Sequence, residues 1–540
     1  MSTALVLTLG HNSSAILVED GNVIAGYEEE RFTGKKSDSS FPRNAITELS
    51  IRFNIPTDVK VCIGHWFLDH NLPMDTKYWD PDFINQLFPD NEILSIDHQF
   101  THHDSHLESA ISFSGSNFTP NYHALVIDGF GSSGECISVY EVKKGGYQLL
   151  RRWFGFDKSL GLLYQYATAF LGMQMHNHEY KMLAYEVHLH SLQYDVDLLN
   201  GLVAEHADER IKNLYSSEIN VSQDPLVSSD ALINTRLYIE NVLSGVLSKM
   251  NAESVDIHDK RCIISYFVQK VVETVVLHLV EVFNVENVLL SGGLFYNVKL
   301  NSLISKKISG KTCIIPLAGD QGAGLGVYQR YFGDLKWPNH LNWGVRDLNF
   351  ESDHDKMVIV DDMSEALPII RQQLNTVGFV NLVRGNMEFG PRALCNTSTL
   401  ALPIRQIGEI INKINDRTNE MPFALVVSKE QSEKMFENCE KIHRSLDYMI
   451  CTRDFKPYVA ENNLGGAHYY PDLNIYTCRP QITDDEHILD LLEQFGPLIN
   501  TSFNFHGVPI VLGEEQIKYT HKMQCQTAPD VNFLTIIVRN

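Results

Sequence analysis

Twice in its first third the chain sets short β-branched strands around a glycine turn, and that repetition restricts the available folds more than any other feature. The first set is "ALVLTLG", "SAILVEDG" and "NVIAGYEEER". Asp20-Gly21-Asn22, between the last two strands, is a hairpin turn, because glycine reaches positive φ without steric cost. The second set is "NYHALVIDGFGSSGECISVYEV", where an apolar strand stops at Asp128-Gly129 and another starts after Gly134. Two such hairpins imply an internally duplicated fold. Between residues 261 and 330 the pattern becomes helix, strand, helix, strand. "CIISYFVQKVVETVVLHLVEVF" has helical length and period, "NVLLSGG" runs into a glycine turn, and "KTCIIPLAGDQGAG" repeats that design. The expectation is an α/β fold.

A chain of 540 residues with 44% hydrophobic content fills more than one core, so two or three domains are expected. The charged stretch "RDLNFESDHDKM" marks a boundary near residue 350, which divides the chain into 1–350 and 351–540. A formal net charge of −23 disfavours long duplex nucleic acid as a partner, because binding it takes clustered Lys and Arg; a local pocket for a small phosphate remains compatible. The 9 cysteines are scattered without a CxxC pair, which points away from zinc knuckles and disulfides and toward a reducing, cytoplasmic compartment. "ALVLTL" has no basic segment before it, and "VVETVVLHLVEVF" is interrupted by Glu273, His278 and Glu281, so no membrane association is expected.

Several stretches carry chemistry. "THHDSHLESA" puts His102 and His106 four residues apart, on one face of a helix, where both imidazoles can reach one metal ion; His103 points elsewhere. Asp128 in "VIDGFG" and Asp320 in "PLAGDQGAG" are strand-end carboxylates beside glycines, able to serve a metal or simply to form turns. The turns "SGGLFYN", with Gly292, Gly293 and Asn297, and "AGDQGAGLG" precede helices whose N–H groups can take a phosphate or pack on an adenine. Neither is a Walker A or a dinucleotide fingerprint, and Gly322, Gly324 and Gly326 serve equally well for close helix packing. "RGNMEFGPRALCNTS" holds Glu388, Arg392, Asn396 and Ser398, more polar groups than a strand-helix junction needs without a ligand, and Arg392 suits bidentate phosphate binding. Arg417, His468 and Arg479 are further candidate anion contacts, although a single arginine is as readily a surface ion-pair former. "GMQMHNHEYKMLAYE" reads either as a solvated helix end or as a substrate loop with Lys181 near a phosphate or adenosine.

In chain order, "LGHNSSAILVEDG", "EEERFTGKK", "HHDSH", "DGFG", "SLGLLYQYAT", "LLSGGLFYN", "GDQGAG", "MEFGPRAL", "MPFA", "RPQ" and "NTSFNFHGVPIV" resemble the O-carbamoyltransferases of the NodU/CmcH type. The resemblance implies an N-terminal actin/hexokinase-like (Kae1-like) domain and a C-terminal α+β YrdC-like domain. It also implies a two-step reaction. The second domain makes carbamoyl-adenylate from ATP and carbamoyl phosphate, releasing pyrophosphate and phosphate. The first transfers the carbamoyl group to a hydroxyl of a small-molecule or nucleotide acceptor, assisted by a divalent metal, iron by resemblance, with Mg accompanying ATP. His102, His106, Asp128 and Asp320 match the metal positions. His11 matches a general-base position, but Asn12 stands where the family usually has an acid. Arg392, Arg417, Arg479, Ser502 and Asn504 match the positions expected to hold ATP and carbamoyl phosphate, while Asn415 replaces a Lys common in the family. Two other activities fit the same domain types: a relative of tRNA threonylcarbamoylation, and a non-catalytic nucleotide-binding regulator. A homodimer is the default oligomer.

Overall fold

The computed structural model describes residues 3–64, 81–216, 229–352, 354–457, 459–462, 464–470 and 474–539. The hairpins form as their turns dictate: Asp20 and Gly21 have φ of 46° and 80°, the two successive positive values that a tight two-residue hairpin needs. They seed two sheets of one design. In the first, Asn22–Glu28, Ser14–Glu19, Thr3–Thr8, Lys60–Ile63 and Ile93–Ser95 lie side by side, the first three antiparallel and the rest parallel. In the second, Gly146–Phe154, Glu135–Lys143, Tyr122–Ile127, Val288–Ser291 and Thr312–Ile314 repeat that order and those directions. The expected duplication is therefore visible as topology. A further strand, Ile442–His443, pairs in parallel with Thr312–Ile314 and comes from far along the chain. Leu446, Tyr448 and Ile450, which follow it, are buried in the same core as the second sheet.

The helices His102–Ser114 and Ala323–Phe332 approach closely because Gly324 and Gly326 lack side chains. A Cβ on Gly326 would lie 1.7 Å from the Ser105 carbonyl oxygen, and one on Gly324 would lie 2.6 Å from Val6 Cγ1. These glycines serve packing, the plainer of the two roles the sequence allows. Gly326→Val should destabilise the fold by about 3 kcal/mol, the upper end for overpacking, because the obstruction is backbone. Urea unfolding of the variant beside the parent checks this.

The long helix Ile257–Val282 has the length and mean hydropathy (1.5) to cross a membrane, but 78% of its apolar window is buried within the protein, as a core helix is.

Beyond residue 356 a mixed seven-stranded sheet runs in the order Met357–Val360, Thr535–Val538, Phe379–Arg384, Thr397–Ala401, Leu498–Ser502, Ala424–Val427 and Pro480–Ile482. Its strand residues alternate between the two faces of the sheet. Val380 and Leu382 pack with the helices Met363–Thr376 and Glu486–Phe495, and Phe379 and Leu425 pack with the helix Arg405–Ile414. "MEFGPRALCN" is not a strand-helix junction: it joins the antiparallel neighbours Phe379–Arg384 and Thr397–Ala401. A small sheet of Arg453–Asp454, Ile475–Cys478 and His468–Tyr470 lies beside the large one in sequence.

Candidate functional site

Thr101 starts the helix that carries the histidine pair. Its hydroxyl accepts from the Asp104 N–H while the Asp104 carboxylate accepts from the Thr101 N–H, a reciprocal cap. His102 and His106 then project from one face, their Nε2 atoms 3.1 Å apart. His102 Nδ1 is 2.8 Å from the Gly64 carbonyl, which takes the ring proton on that side and leaves Nε2 as the ligand atom. His103 turns away, with Nδ1 2.7 Å from Ser138 Oγ.

Asp128 follows directly on the strand Tyr122–Ile127. Its Oδ1 accepts from the Gly129 and Gly293 N–H groups at 2.8 and 3.2 Å, which aims Oδ2 at the two imidazoles, 3.4 Å from His102 and 3.5 Å from His106. Asp320 is not a strand-end residue. It lies beyond the strand Thr312–Ile314, at the first position of the tight turn Asp320–Gly322 that leads into Ala323–Phe332. From there Oδ1 lies 3.3 Å from His102 and 3.5 Å from His106. One ligand atom from each of the four residues falls within 4.8 Å of the others. Two imidazoles and two carboxylates, three of the four side chains nearly inaccessible, suit a divalent metal. Burial opposes charge on His102, but hydrogen bonds to Asp128 and Asp320 raise it well above the usual imidazole value. Burial and the Asp320 charge push Asp128 up, yet bonds from the two histidines hold it below the usual carboxylate range. A cation at this point replaces the protons as the carboxylates' partner.

His11 approaches from the solvent side, 39% exposed, with Nδ1 3.7 Å from Asp320 Oδ2. Its ring lies 4.5 Å, centroid to centroid, from that of His176, whose φ of 63° is unusual for a residue with a side chain. Burial and the neighbouring His11 lower His176 to about 4, so it is a neutral imidazole at pH 7.

His11, His176, Asp128 and Asp320 line a cavity of about 440 Å³ that is also lined by Arg392, Arg417 and Arg479. Among the described residues none of the three has an ion pair within 4 Å. Arg417 donates to Thr501 Oγ1 at 2.9 Å and lies over the Phe423 ring. Burial lowers all three, and Arg479 is lowered further by Arg392 and Arg417. Arginines that line a cavity without ion-pair partners of their own are suited to phosphate. Ser502 and Asn504 line the same cavity, Ser502 Oγ donating to Asn504 Oδ1 at 2.5 Å and Asn504 Nδ2 to the Val508 carbonyl at 2.7 Å.

Other sequence candidates are already occupied. The Glu388 carboxylate accepts from the N–H groups of Leu394, Asn396 and Thr397 at 2.6, 2.8 and 3.1 Å. Asn396 donates to the Asn386 carbonyl, and Ser398 accepts from the Cys395 N–H. Of the four polar groups singled out in that loop, only Arg392 lines the cavity, and Glu388 Oε1, Asn396 and Ser398 bond the loop's own backbone. Asn297 lines the cavity, but its Oδ1 caps the helix Val298–Lys307 at the Leu300 N–H. Gly293 lines the cavity and Gly292 lies behind it, its N–H bonded to Ala318. His468 is in the lining, lowered by burial and the Lys299 charge. Lys181 is half-buried outside the lining, near Arg261 and Arg417. Lys36, Tyr180 and Tyr296 also line the cavity and were not singled out from the sequence. "FTGKK" offers two lysines with nothing to choose between them, yet burial pulls Lys36 to about 8.

Comparison with known proteins gives two matched segments. A family model for the carbamoyltransferase N-terminus matches residues 91–328, and one for the carbamoyltransferase C-terminus matches 371–536. An uncharacterized protein of Methanocaldococcus jannaschii is 26% identical, over 94% of this chain and 94% of its own. The nodulation protein NolNO of Sinorhizobium fredii is 24% identical, over 93% of this chain and 75% of its own. The 3'-hydroxymethylcephem-O-carbamoyltransferase of Amycolatopsis lactamdurans is 28% identical, over 40% of this chain and 42% of its own. The first matched segment holds the histidine–aspartate cluster and the second holds the three arginines, and the chain belongs to the carbamoyltransferase family, as an enzyme of the NodU/CmcH type.

Proposed function

We propose that this carbamoyltransferase is ATP-dependent and works in two steps within one chamber. A single observation carries the proposal: Asp128, Asp320 and His11, and with them Arg392, Arg417 and Arg479, line the same cavity. In the first step water displaces phosphate from carbamoyl phosphate, and an oxygen of the resulting carbamate attacks the ATP α-phosphorus and expels pyrophosphate, giving carbamoyl-adenylate, while the arginines hold the phosphates and neutralise the charge that develops. Segment 351–540 supplies this site as a YrdC-like domain. Segment 1–350, whose duplicated sheets fit an actin/hexokinase-like design, supplies the second site.

In the second step a hydroxyl oxygen of a small-molecule or nucleotide acceptor forms a bond to the carbamoyl carbon. The carbon–oxygen bond to the phosphate breaks, and AMP leaves. His11 takes the hydroxyl proton. Its partner is Asp320 across 3.7 Å, rather than a carboxylate at position 12, where Asn12 stands. His102, His106, Asp128 and Asp320 would hold a divalent metal, iron by family resemblance, which when bound polarises the carbamoyl carbonyl. The chamber walls keep the reactive adenylate from water.

Purified metal-loaded protein should release pyrophosphate from ATP only when carbamoyl phosphate is present. Release without it, or none with it, would sink the proposal. Screening hydroxylated metabolites by mass spectrometry for addition of one carbamoyl group then identifies the acceptor.

A further inference from the structure

The first half of the chain grips the loop that carries Arg392. Arg31, at the start of "RFTGKK", is 1% exposed, and Glu28 is 3% exposed. Arg31 Nη2 donates to Glu28 Oε2 at 2.5 Å and to the Gly390 carbonyl at 2.7 Å, and Nη1 lies 3.0 Å from Glu30 Oε1. Glu28 Oε2 accepts in turn from the Gly390 N–H at 3.0 Å. Both backbone groups of Gly390, two residues before Arg392, are therefore held by one buried ion pair. Phe389 is buried too, its ring 5.1 Å from that of Trp343 and its N–H bonded to the Leu341 carbonyl at 2.7 Å. Met387 exchanges backbone hydrogen bonds with Gly344 at 2.8 and 2.9 Å. The segment from Met387 to Gly390 thus packs as part of the first half, although its flanking strands belong to the seven-stranded sheet.

We infer that Glu28 and Arg31 are positioning residues for the arginine site, so that the first half sets the direction in which Arg392 enters the chamber. The inference rests on the proposed anion-binding role of that site. A buried ion pair is a poor source of stability, since an apolar pair of similar volume does as well. What it supplies here is direction: a charged donor and a charged acceptor fix the Gly390 carbonyl and N–H together. Glu28, Arg31, Lys36 and Tyr180, all from the first half, line the same chamber, so the anion site is composite and complete only when the halves are docked.

Inorganic pyrophosphate is the probe, titrated into metal-loaded parent, Arg31→Met and the charge-balanced double variant Glu28→Gln/Arg31→Met. Arg31→Met should bind pyrophosphate at least tenfold more weakly while keeping its metal stoichiometry. The double variant keeps the net charge and removes Glu28 together with its partner, leaving only Glu30, which also accepts from the Ser37 N–H, without the arginine. It should recover melting temperature relative to Arg31→Met yet stay at least tenfold weaker for pyrophosphate. Parent-like pyrophosphate affinity in either variant would overturn the inference, as would loss of metal together with anion binding in Arg31→Met. Carbamoyl-phosphate-dependent pyrophosphate release by the parent judges the two-step proposal separately. Its absence would remove the adenylate reading while the pyrophosphate titration still decides the role of Arg31.

Discussion

Carbamoyl transfer should fall by about a thousandfold in His106→Ala, the scale of several kcal/mol of Lewis-acid stabilisation, while pyrophosphate release in the first step is spared. His106 reaches the cluster through Nε2 alone, and its removal leaves His102 with two carboxylates competing for it. Metal analysis should give a metal-to-protein ratio well below that of the parent, and adding excess metal should not restore transfer. The two steps are scored independently, transfer by mass of the carbamoylated acceptor and activation by pyrophosphate. Equal transfer by metal-loaded His106→Ala and parent would remove the metal assignment. Loss of both steps together would mean that the cluster supports the whole fold rather than one site.

Arg479→Ala should show the opposite split, with carbamoyl-phosphate-dependent pyrophosphate release reduced about 10²–10³-fold, the usual cost of removing one preorganised charge from a developing anion. Its stability signature is the more telling. Arg479 is lowered by burial and by two like-charged neighbours, so without ligand its charge works against folding. Replacing it relieves that repulsion, and the ligand-free variant should melt at or above the parent's temperature. Added pyrophosphate should raise the parent's melting temperature far more than the variant's, because a ligand stabilises only the form that binds it. A ligand-free variant that melts clearly below the parent would mark Arg479 as a structural residue.

The parts of the site legible in the sequence are those where local periodicity does the positioning. His102 and His106 share a face because helices repeat every 3.6 residues, and Thr101 sets where that helix begins. Asp128 was legible because an apolar strand stops at it. Two hairpin turns were enough to announce a duplicated sheet. The illegible parts depend on backbone demands that composition does not record. Glu388, Asn396 and Ser398 look like ligand groups until the loop's own N–H and C=O groups are seen to claim them. His176 gave no signal of its contact with His11, since that contact depends on a left-handed backbone turn at an ordinary residue. Arg31 and Gly390 are 359 positions apart, and no periodicity links them.

The strand Ile442–His443 was hidden for a different reason: two residues inside "EKIHRS" have no pattern to detect. Its place in the second sheet has a consequence for how the protein is made. Thr312–Ile314 leaves the ribosome well before its parallel partner exists, and at about 5–20 residues per second the interval is on the order of ten seconds. Through that interval the nascent chain carries an unpaired sheet edge beside an unfilled core, the kind of surface that recruits chaperones or pairs with a neighbouring polypeptide. Slow or paused synthesis between these two strands therefore exposes this enzyme to misassembly, whereas a pause after Ile442–His443 has emerged and paired finds that edge covered.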